Sequence, residues 1–368
     1  MIDPLLVGGM IIAAFAGGII GAAIGALPAF VFTGILVIAG EAARVAGIVS
    51  LDEGAGLGST GITANIAFGA FFGPHIAFAG GTAASAYAAK QGYMEPGFGG
   101  GWGYHDAKNI LIAFGARTDV LIIGGLFGIL GYVVFFISSF VAAPWDPIAF
   151  GVVISALAHR IALGYAAVGT VRGDGWLDLS GFDREDTYPA DGTAGQPADR
   201  LIVEPWLPWF RSWGGVGLNG IAFGILGGFT FWGTGSPYLA FGISAASLLF
   251  LNLGIEDDFG AFQLKFPVTH HITLPASTAP MAYIGIGLAE AGPAVVQAEL
   301  LLLEAVALGA IFGLLGALFG ELAERVFYAH GDTHWDPPAT SIVVTTFLIA
   351  LLAIVGVFPT AGWVPVPI

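Results

Sequence analysis

The sequence feature that limits the fold most is a series of long apolar stretches. Each stretch is close to the roughly 20 residues that a helix needs to cross a lipid bilayer. Together they predict an all-α polytopic integral protein of the cell membrane with about ten transmembrane spans. Composition agrees, because 56% of the residues are hydrophobic and only 10% are charged. The predicted spans are residues 5–27, 29–46, 66–90, 119–142, 147–168, 216–232, 238–253, 270–289, 295–318 and 339–357.

The spans fall into two sets of five that share a repeated segment. Residues 73–90 and 269–284 match at a constant offset of 196 residues. We therefore divide the chain into a first membrane repeat (1–169), an acidic, solvated hydrophilic linker with an interfacial segment (170–213) and a second membrane repeat (214–368). The identical residues are His75, Ile76, Thr82, Ala83, Ala86 and Tyr87, which recur as His271, Ile272, Thr278, Ala279, Ala282 and Tyr283.

Further matches indicate how the two repeats are oriented. An odd number of spans per repeat makes the second repeat enter the membrane with the opposite orientation, which predicts an inverted repeat. If the third span is re-entrant, the count becomes even and the halves are parallel. The additional matches are Pro28 with Pro237, Gly34 with Gly242, Phe127 and Gly128 with Phe312 and Gly313, and Trp145, Asp146 and Pro147 with Trp335, Asp336 and Pro337.

Charge and cysteine content exclude several classes of function. The formal charge is −15, with 26 acidic residues against 11 Lys and Arg, so no basic patch for nucleic acid is expected. Acidic loops with few lysines are typical of solvation at high salt, which predicts a halophilic, archaeal-like protein. The chain has no cysteine, which excludes disulfides and thiolate metal sites.

No motif indicates an enzyme, a cofactor or a metal. The sequence lacks an HExxH motif, a P-loop and a convincing Ser/His/Asp set. His330, Asp332 and His334 lie close together, but no fourth metal ligand is evident. The two Trp-Asp-Pro copies are interpreted as structural starts of spans, with an interfacial Trp, an Asp N-cap and Pro at the first helical position.

The best sequence indication of a binding site is a Gly/Pro-interrupted span at the same place in both repeats. Such breaks leave backbone groups that lipid cannot satisfy, and helix N-termini beside hydroxyls favour anions. The alternative is that each hydroxyl only caps its own broken turn. The candidate substrate-binding residues are Pro28, Thr33, Thr63, His75, Thr82, Ser236, Pro237, His271, Thr273 and Thr278.

Among these candidates, His75 and His271 are the ionisable pair at equivalent positions of the repeated segment. A pseudo-two-fold axis would bring them together if both lie near it. There they would bind a carboxylate when protonated, or relay a proton. The alternative is that each histidine caps the start of a helix.

Several segments of the first repeat resemble one transporter family. AGGIIGAAIGALPAF (16–30), FGAFFGPHIA (68–77), AYAAKQG (86–92) and NILIAFGARTDVLIIGGLFG (109–128) are similar, in this order, to Gly-rich segments of the large membrane subunit of tripartite tricarboxylate transporters. The resemblance covers roughly the first 130 residues. It implies a carboxylate carrier that is coupled to an ion gradient and fed by a soluble binding protein.

These observations favour a secondary-transporter-like protein. It would move a small anionic (carboxylate-type) or polar solute at the interface of the two repeats, coupled to Na⁺ or H⁺. One alternative is a passive channel or pore for a small ion or neutral molecule. Another is a non-transporting membrane scaffold within a larger assembly. The expected partners are the lipid bilayer, the solute and its coupling ion, and the Gly-rich helix faces are compatible with a homo-oligomer.

Overall fold

The computed structural model describes residues 4–47, 61–94, 103–189, 200–256 and 265–367. These residues are mainly helical and contain no β-strand, only one isolated bridge between Thr187 and Leu201. Residues 190–199 of the predicted linker lie outside the described residues. The helices are α1 Pro4–Ile24, α2 Ala26–Val45, α3 Ala79–Lys90, α4 Thr118–Phe140, α5 Pro147–Ala162, α6 Ser180–Asp183, α7 Trp213–Thr234, α8 Leu239–Ala246, α9 Leu248–Glu256, α10 His270–Ile284, α11 Pro293–Glu299, α12 Leu302–Ala323 and α13 Pro337–Ile354.

Six of these helices are long and apolar enough to cross a membrane, namely α1, α2, α4, α7, α12 with its π-helical extension to Tyr328, and α13. They indicate a membrane protein. Several predicted spans have different bounds in the structure; the span predicted at 238–253, for example, is divided into α8 and α9. The span predicted at 147–168 ends at Ala162, because Gly164 takes a positive φ of 74°. The span predicted at 295–318 is divided at Leu300, whose extended backbone separates α11 from α12.

In each half of the chain, glycines allow two long helices to pack with their backbones close together. A side-chain carbon placed on Gly18 of α1 would overlap the carbonyl oxygen of Gly124 on α4. In the same way, one placed on Gly224 of α7 would overlap the carbonyl oxygen of Gly309 on α12. Gly18 and Gly224 are 206 residues apart, and Gly124 and Gly309 are 185 residues apart, as Gly128 and Gly313 are. The α1–α4 and α7–α12 contacts are therefore both close helix contacts made through glycines.

The third segment of each half is interrupted and packs against the glycines of the same half. A π-helical turn, Pro74–Phe78, precedes α3 and begins after Gly73, whereas α10 begins directly at His270. The carbonyl oxygen of His75 lies against Gly131 on α4, and that of His271 lies against Gly316 on α12. The predicted break before His75 is therefore present, and its packing recurs in the second half.

Two pairs of equivalent helices meet between the halves, and both pairs run antiparallel. In the first pair, Gly34 in the middle of α2 contacts Ala246 at the end of α8. The Ser236 hydroxyl, before α8, donates to Glu41 near the end of α2 at 2.6 Å. The start of α8 thus lies beside the end of α2.

The α5–α13 pair is also antiparallel, with the start of α5 beside the second half of α13. The backbone N–H of Asp146, before α5, donates to Thr346 in the second half of α13 at 2.9 Å. The Arg160 guanidinium, near the end of α5, donates to Thr333 before α13 at 2.9 Å. The largest apolar cluster accordingly contains residues from both halves, such as Phe30 and Ile148 with Phe241 and Ile342.

The last part of the linker is packed rather than solvated, whereas Asp174, Asp183 and Glu185 in its acidic part are exposed, as predicted. Val203, Glu204 and Leu207 are buried, and the Glu204 N–H donates to the carbonyl oxygen of Ala329 at 3.0 Å. We call the region formed by residues 103–110, 200–212 and 329–336 the linker end. The region around Glu41, Thr63, Ser236 and Ala291 is called the Glu41 end.

Candidate functional site

The main cavity lies between the two halves, and equivalent residues of the two repeats line it. The space between its lining atoms totals about 520 Å³. The part wide enough for water holds about three molecules. The equivalent pairs in the lining are Asp146 with Asp336, Ala149 with Ala339, Val152 with Ile342, Phe30 with Tyr238, and Pro74 with His270.

These pairs follow the offsets of the sequence repeat. The three pairs from α5 and α13 are 190 residues apart, as the two Trp-Asp-Pro copies are. Residues three and six positions beyond an Asp share its face of a helix, so each helix presents a matching stripe to the cavity. The cavity is therefore lined by residues of α5 and α13 at matching positions, one helix from each half of the chain.

Asp146 and Asp336 are the most polar elements of this lining. Both are N-caps, as predicted: Asp146 Oδ1 accepts from the N–H groups of Ile148 (2.8 Å) and Ala149 (3.2 Å), and Asp336 Oδ2 accepts from Ala339 (3.2 Å). The preceding tryptophans are also held, since Trp145 Nε1 donates to Ser138 and Trp335 donates to Thr340. The purely structural interpretation of these motifs is incomplete, because both carboxyl groups also line the cavity.

His270 and aromatic rings form another wall of the cavity. The His270 ring lies 4.7 Å from the Phe30 ring and 5.7 Å from the Phe241 ring, and its Nδ1 is buried without a hydrogen-bond partner. A smaller extension, lined by Leu27, Ile110 and Trp206 among others, continues from His270 and Asp336 toward the linker end. The cavity lining contains no Lys or Arg among the described residues, so its fixed polar groups are carboxyl, imidazole and phenol.

Two of the predicted hydroxyl residues meet at the Glu41 end rather than at this cavity. Thr63 donates to Glu41 Oε1 at 3.0 Å, and Ser236 donates to Glu41 Oε2 at 2.6 Å. Arg44 Nε pairs with the same carboxylate at 2.9 Å and donates through Nη1 to the Ala291 carbonyl. Ser236 also caps α8 by accepting from Leu239 N–H at 2.9 Å. This group closes one end of the interface.

The remaining predicted hydroxyls bond mainly to backbone or to their own helix. Thr33 donates to the Phe72 carbonyl at 2.6 Å and Thr82 to that of Ala79 at 2.9 Å. Thr273 lies 3.3 Å from Ser244 Oγ, and Thr278 accepts from Trp363 Nε1 at 2.8 Å.

The two predicted prolines have different surroundings. Pro28 lies in the first turn of α2, after the sharp bend at Gly25, and is half-buried. Pro237 is buried, and its carbonyl oxygen accepts from Ser277 Oγ at 2.5 Å.

His75 and His271 occupy separate places. The His75 ring packs on Phe135 of α4, with 4.9 Å between ring centroids. His271 faces Gly320 of α12 and lines a second, smaller cavity in the second half. Neither ring lines the central cavity.

The linker end carries a buried network of charges. Lys108 Nζ lies 2.6 Å from Glu204 Oε2, and Arg200 bridges Glu204 (2.6 Å) to Asp332 (2.8 Å). Burial lowers the pKa of Lys108 to about 8, although the Glu204 carboxylate opposes the shift. Burial also lowers the pKa of His105 to about 4. Asp332 is thus an ion-pair partner, and the described residues contain no cluster of ligands suited to a metal ion.

Sequence reasoning missed Asp146, Asp336 and His270 as members of a site. The signal was present in the repeat, since both Asp residues belong to motifs that match at one offset. Both Asp residues were interpreted as helix caps, so their position in the lining of a cavity was not predicted. His270 has Pro74 as its equivalent, so a comparison for identical residues could not select it.

The chain belongs to the family of unknown function DUF7973, whose model matches residues 2–367. No curated protein and no solved structure matches the chain. The resemblance to the tricarboxylate transporter subunit, with the soluble binding protein that it implies, stays a prediction.

Proposed function

We propose that this chain is a secondary-transporter-like protein of the cell membrane. It crosses the membrane ten times, in two inverted five-span repeats, and moves a small polar solute through the central cavity. Movement of the solute is coupled to H⁺ or Na⁺. The supporting observation is that the cavity is lined by matching residues of the two halves, with Asp146 and Asp336 as the equivalent carboxyl groups.

The inverted arrangement is supported by the antiparallel packing of α2 on α8 and of α5 on α13. An axis in the membrane plane relates equivalent helices in this way, and transporters of this type bind solute where the repeats meet. In addition, the starts of two interrupted helices reach the cavity, at Pro74 and at His270. Interrupted helices at the centre of a membrane are characteristic of solute sites.

The lining also limits the kind of solute. Two carboxyl groups face the cavity, and no lining Lys or Arg balances them. Helix starts offer N–H donors, whereas carboxyl groups offer acceptors. A neutral or zwitterionic polar solute therefore fits better than a simple carboxylate anion. Aromatic side chains bound the space at two ends, with Trp206 toward the linker end and Trp363 beside Tyr238, which favours a closed site over an open pore.

The test is solute-driven ion flux into liposomes that contain the purified protein. A pH-sensitive dye inside the liposomes, or an Na⁺-sensitive one, reports flux while amino acids, polyols and dicarboxylates are added in turn. We expect one class of polar solute to drive saturable flux that Asp146→Asn with Asp336→Asn abolishes. The control is Asp119→Asn, which alters a half-exposed pair with Arg117 at 3.6 Å.

Other results would contradict the proposal. Conductance that needs no solute gradient would identify a channel. Absence of flux with every solute class would favour a scaffold. Flux that the Asp146/Asp336 double variant retains would move the site away from the central cavity.

A further inference from the structure

The second half contains a cavity at His271, whereas in the first half Phe135 packs on the ring of the equivalent His75. Phe135 and Gly320 are equivalent positions on α4 and α12, at the offset of 185 residues. Phe135 covers the His75 ring, whereas Gly320 leaves the space beside His271 free of any side chain. A side-chain carbon on Gly320 would lie 2.6 Å from His271 Nε2, so only glycine fits there with the ring in this place.

Acidic residues of α12 and its extension line this second cavity. Its empty space totals about 320 Å³, and Glu321 and Glu324 contribute to its wall together with His271. The equivalent positions on α4 are Phe136 and Ser139, which are not acidic. The two halves therefore differ here in space and in charge together.

Glu321 and Glu324 have different partners. Glu321 Oε1 pairs with Arg325 Nε at 2.6 Å. Glu324 Oε1 accepts from the Trp206 backbone N–H at 3.0 Å, while its Oε2 is buried without a hydrogen-bond partner. His271 Nδ1 is also buried and unpartnered. The cavity thus has one carboxyl oxygen and one imidazole nitrogen that nothing in the described residues satisfies.

The cations that act on Glu324 are already paired with other carboxylates. Arg325 pairs with Glu321, and Lys108 pairs with Glu204. A buried carboxylate without its own counter-charge is costly, and binding one proton removes that cost. The titratable or charged groups that face this cavity or act on its two glutamates are Tyr104, Lys108, Arg211, His271, Glu321, Arg325 and Tyr328.

We propose that Glu324, with His271 beside it, forms a proton-binding site in the second half of the protein. The site is separate from the central cavity but shares a wall with it. Trp206 lines both the second cavity and the linker-end extension of the central cavity, and Pro337 of the second cavity follows Asp336. Glu324 accepts a hydrogen bond from the Trp206 backbone N–H, so proton uptake at Glu324 acts directly on Trp206. Its use as the coupling site rests on the proposed transport function, whereas proton binding does not.

The test is infrared difference spectroscopy of the full chain in lipid while the pH is changed from acidic to alkaline. A protonated carboxyl group has a C=O stretch that a carboxylate lacks. We expect a band from a buried protonated carboxyl that disappears as the pH rises and is absent in Glu324→Gln. Glu304→Gln is the matched control on α12, because that side chain is exposed and Gln retains its bond to the Leu301 N–H.

Each outcome decides between alternatives. A titrating carboxyl signal in Glu324→Gln that is identical to that of the unaltered protein overturns the proposal, and so does a carboxylate signal that responds to Na⁺ but not to pH. A second variant, His271→Asn, should shift the pH at which the band disappears, and an unchanged pH would remove His271 from the site. Size-exclusion profiles show that each variant is folded.

The same variants in liposomes separate this proposal from the transport proposal. Glu324→Gln should retain solute exchange and lose proton flux. If no solute moves with the unaltered protein but the infrared band still titrates, the transport proposal fails and the proton site stands. If solute-driven proton flux survives in Glu324→Gln, the coupling role of Glu324 is excluded.

Discussion

The linker end and the Glu41 end close the two sides of the same interface with different chemistry. At the linker end, Lys108, Arg200, Glu204 and Asp332 form a continuous chain of ion pairs that is largely buried. At the Glu41 end, one carboxylate holds one arginine and two hydroxyls. The linker supplies Arg200 and Glu204 at one end, and no linker residue contributes to the Glu41 carboxylate contacts at the other.

That difference has a direct consequence for the proposed transport cycle. Separating buried ion pairs exposes or isolates several charges, whereas separating hydroxyls from a carboxylate breaks weaker bonds. The Glu41 end should therefore open at lower free-energy cost than the linker end. The following variants test whether the contacts at the linker end stabilise the protein more than those at the Glu41 end.

The largest expected effect is that of Lys108→Met at the linker end. It leaves Glu204 buried without its lysine, and breaking such a pair costs about 3–5 kcal/mol. Unfolding by denaturant in detergent measures the loss. The double variant with Glu204→Gln should recover part of it, because the carboxylate oxygen that loses Lys108 is then uncharged, while Arg200 still pairs with Asp332. Equal stability of single and double variants would show that the pair does not act as a unit.

The next effect is that of Glu41→Gln at the other end. The change weakens bonds from Thr63, Ser236 and Arg44, and hydrogen bonds to a charged group contribute about 1.5–3 kcal/mol. The same unfolding measurement applies. Asp119→Asn is the control, with an expected loss of about 0–1 kcal/mol, since its pair with Arg117 is half-exposed. If Glu41→Gln lost as much stability as Lys108→Met, the expected difference between the two ends would be contradicted.

Of the two ends, the linker end should show a pH effect that arises from a buried histidine. The pKa of His105 is lowered from 6.5 to about 4, first by burial and then by the nearby Arg200 guanidinium. Between those values the unfolded chain binds a proton that the folded chain does not, so the free energy of unfolding falls as the pH is lowered across the window. Above pH 6.5 the stabilisation is fully present.

Thermal unfolding as a function of pH checks this expectation. His105→Asn should flatten the dependence in that window, since an Asn side chain can still accept from the Ala107 N–H, as His105 Nδ1 does at 3.1 Å. An unchanged slope in the variant would assign the dependence to other groups.

The smallest expected effect is that of Ser236→Ala. It removes an N-cap of α8 and one of the bonds to Glu41, for an expected loss of about 1 kcal/mol. Combined with Glu41→Gln, the losses should be less than additive because the two residues share a bond. Strict additivity would indicate that Ser236 acts only as a cap.

Much of the fold could be predicted from the sequence. Apolar length located the six long helices, and the offset of 190 residues identified both Asp N-caps before their contacts were known. The break before His75 followed from Gly73 and Pro74. These features depend on local sequence, so a single chain is sufficient to recognise them.

The site could not be predicted in the same way. Equal offsets show that two residues are equivalent, but not that they lie near the axis, so His75 with His271 and Asp146 with Asp336 could not be distinguished by sequence. The burial of the last part of the linker could not be predicted for a related reason. Its acidic composition indicates solvation, yet the partners that bury Glu204 come from distant segments, namely Lys108 and Ala329.

The crossing of α2 and α8 shows how the halves could move. Gly34 and Gly242 meet there almost backbone to backbone, with only Val37 and Ala245 reaching in from the side. Helices normally interlock through rows of side chains, and turning one against the other requires those rows to exchange places. At this crossing the closest approach involves the backbone of Gly34, while Phe30 of α2 and Phe241 of α8 pack edge to face beside it with 6.0 Å between ring centroids. In the proposed transport cycle, a small rotation about this crossing would open one end of the interface while the other end closes.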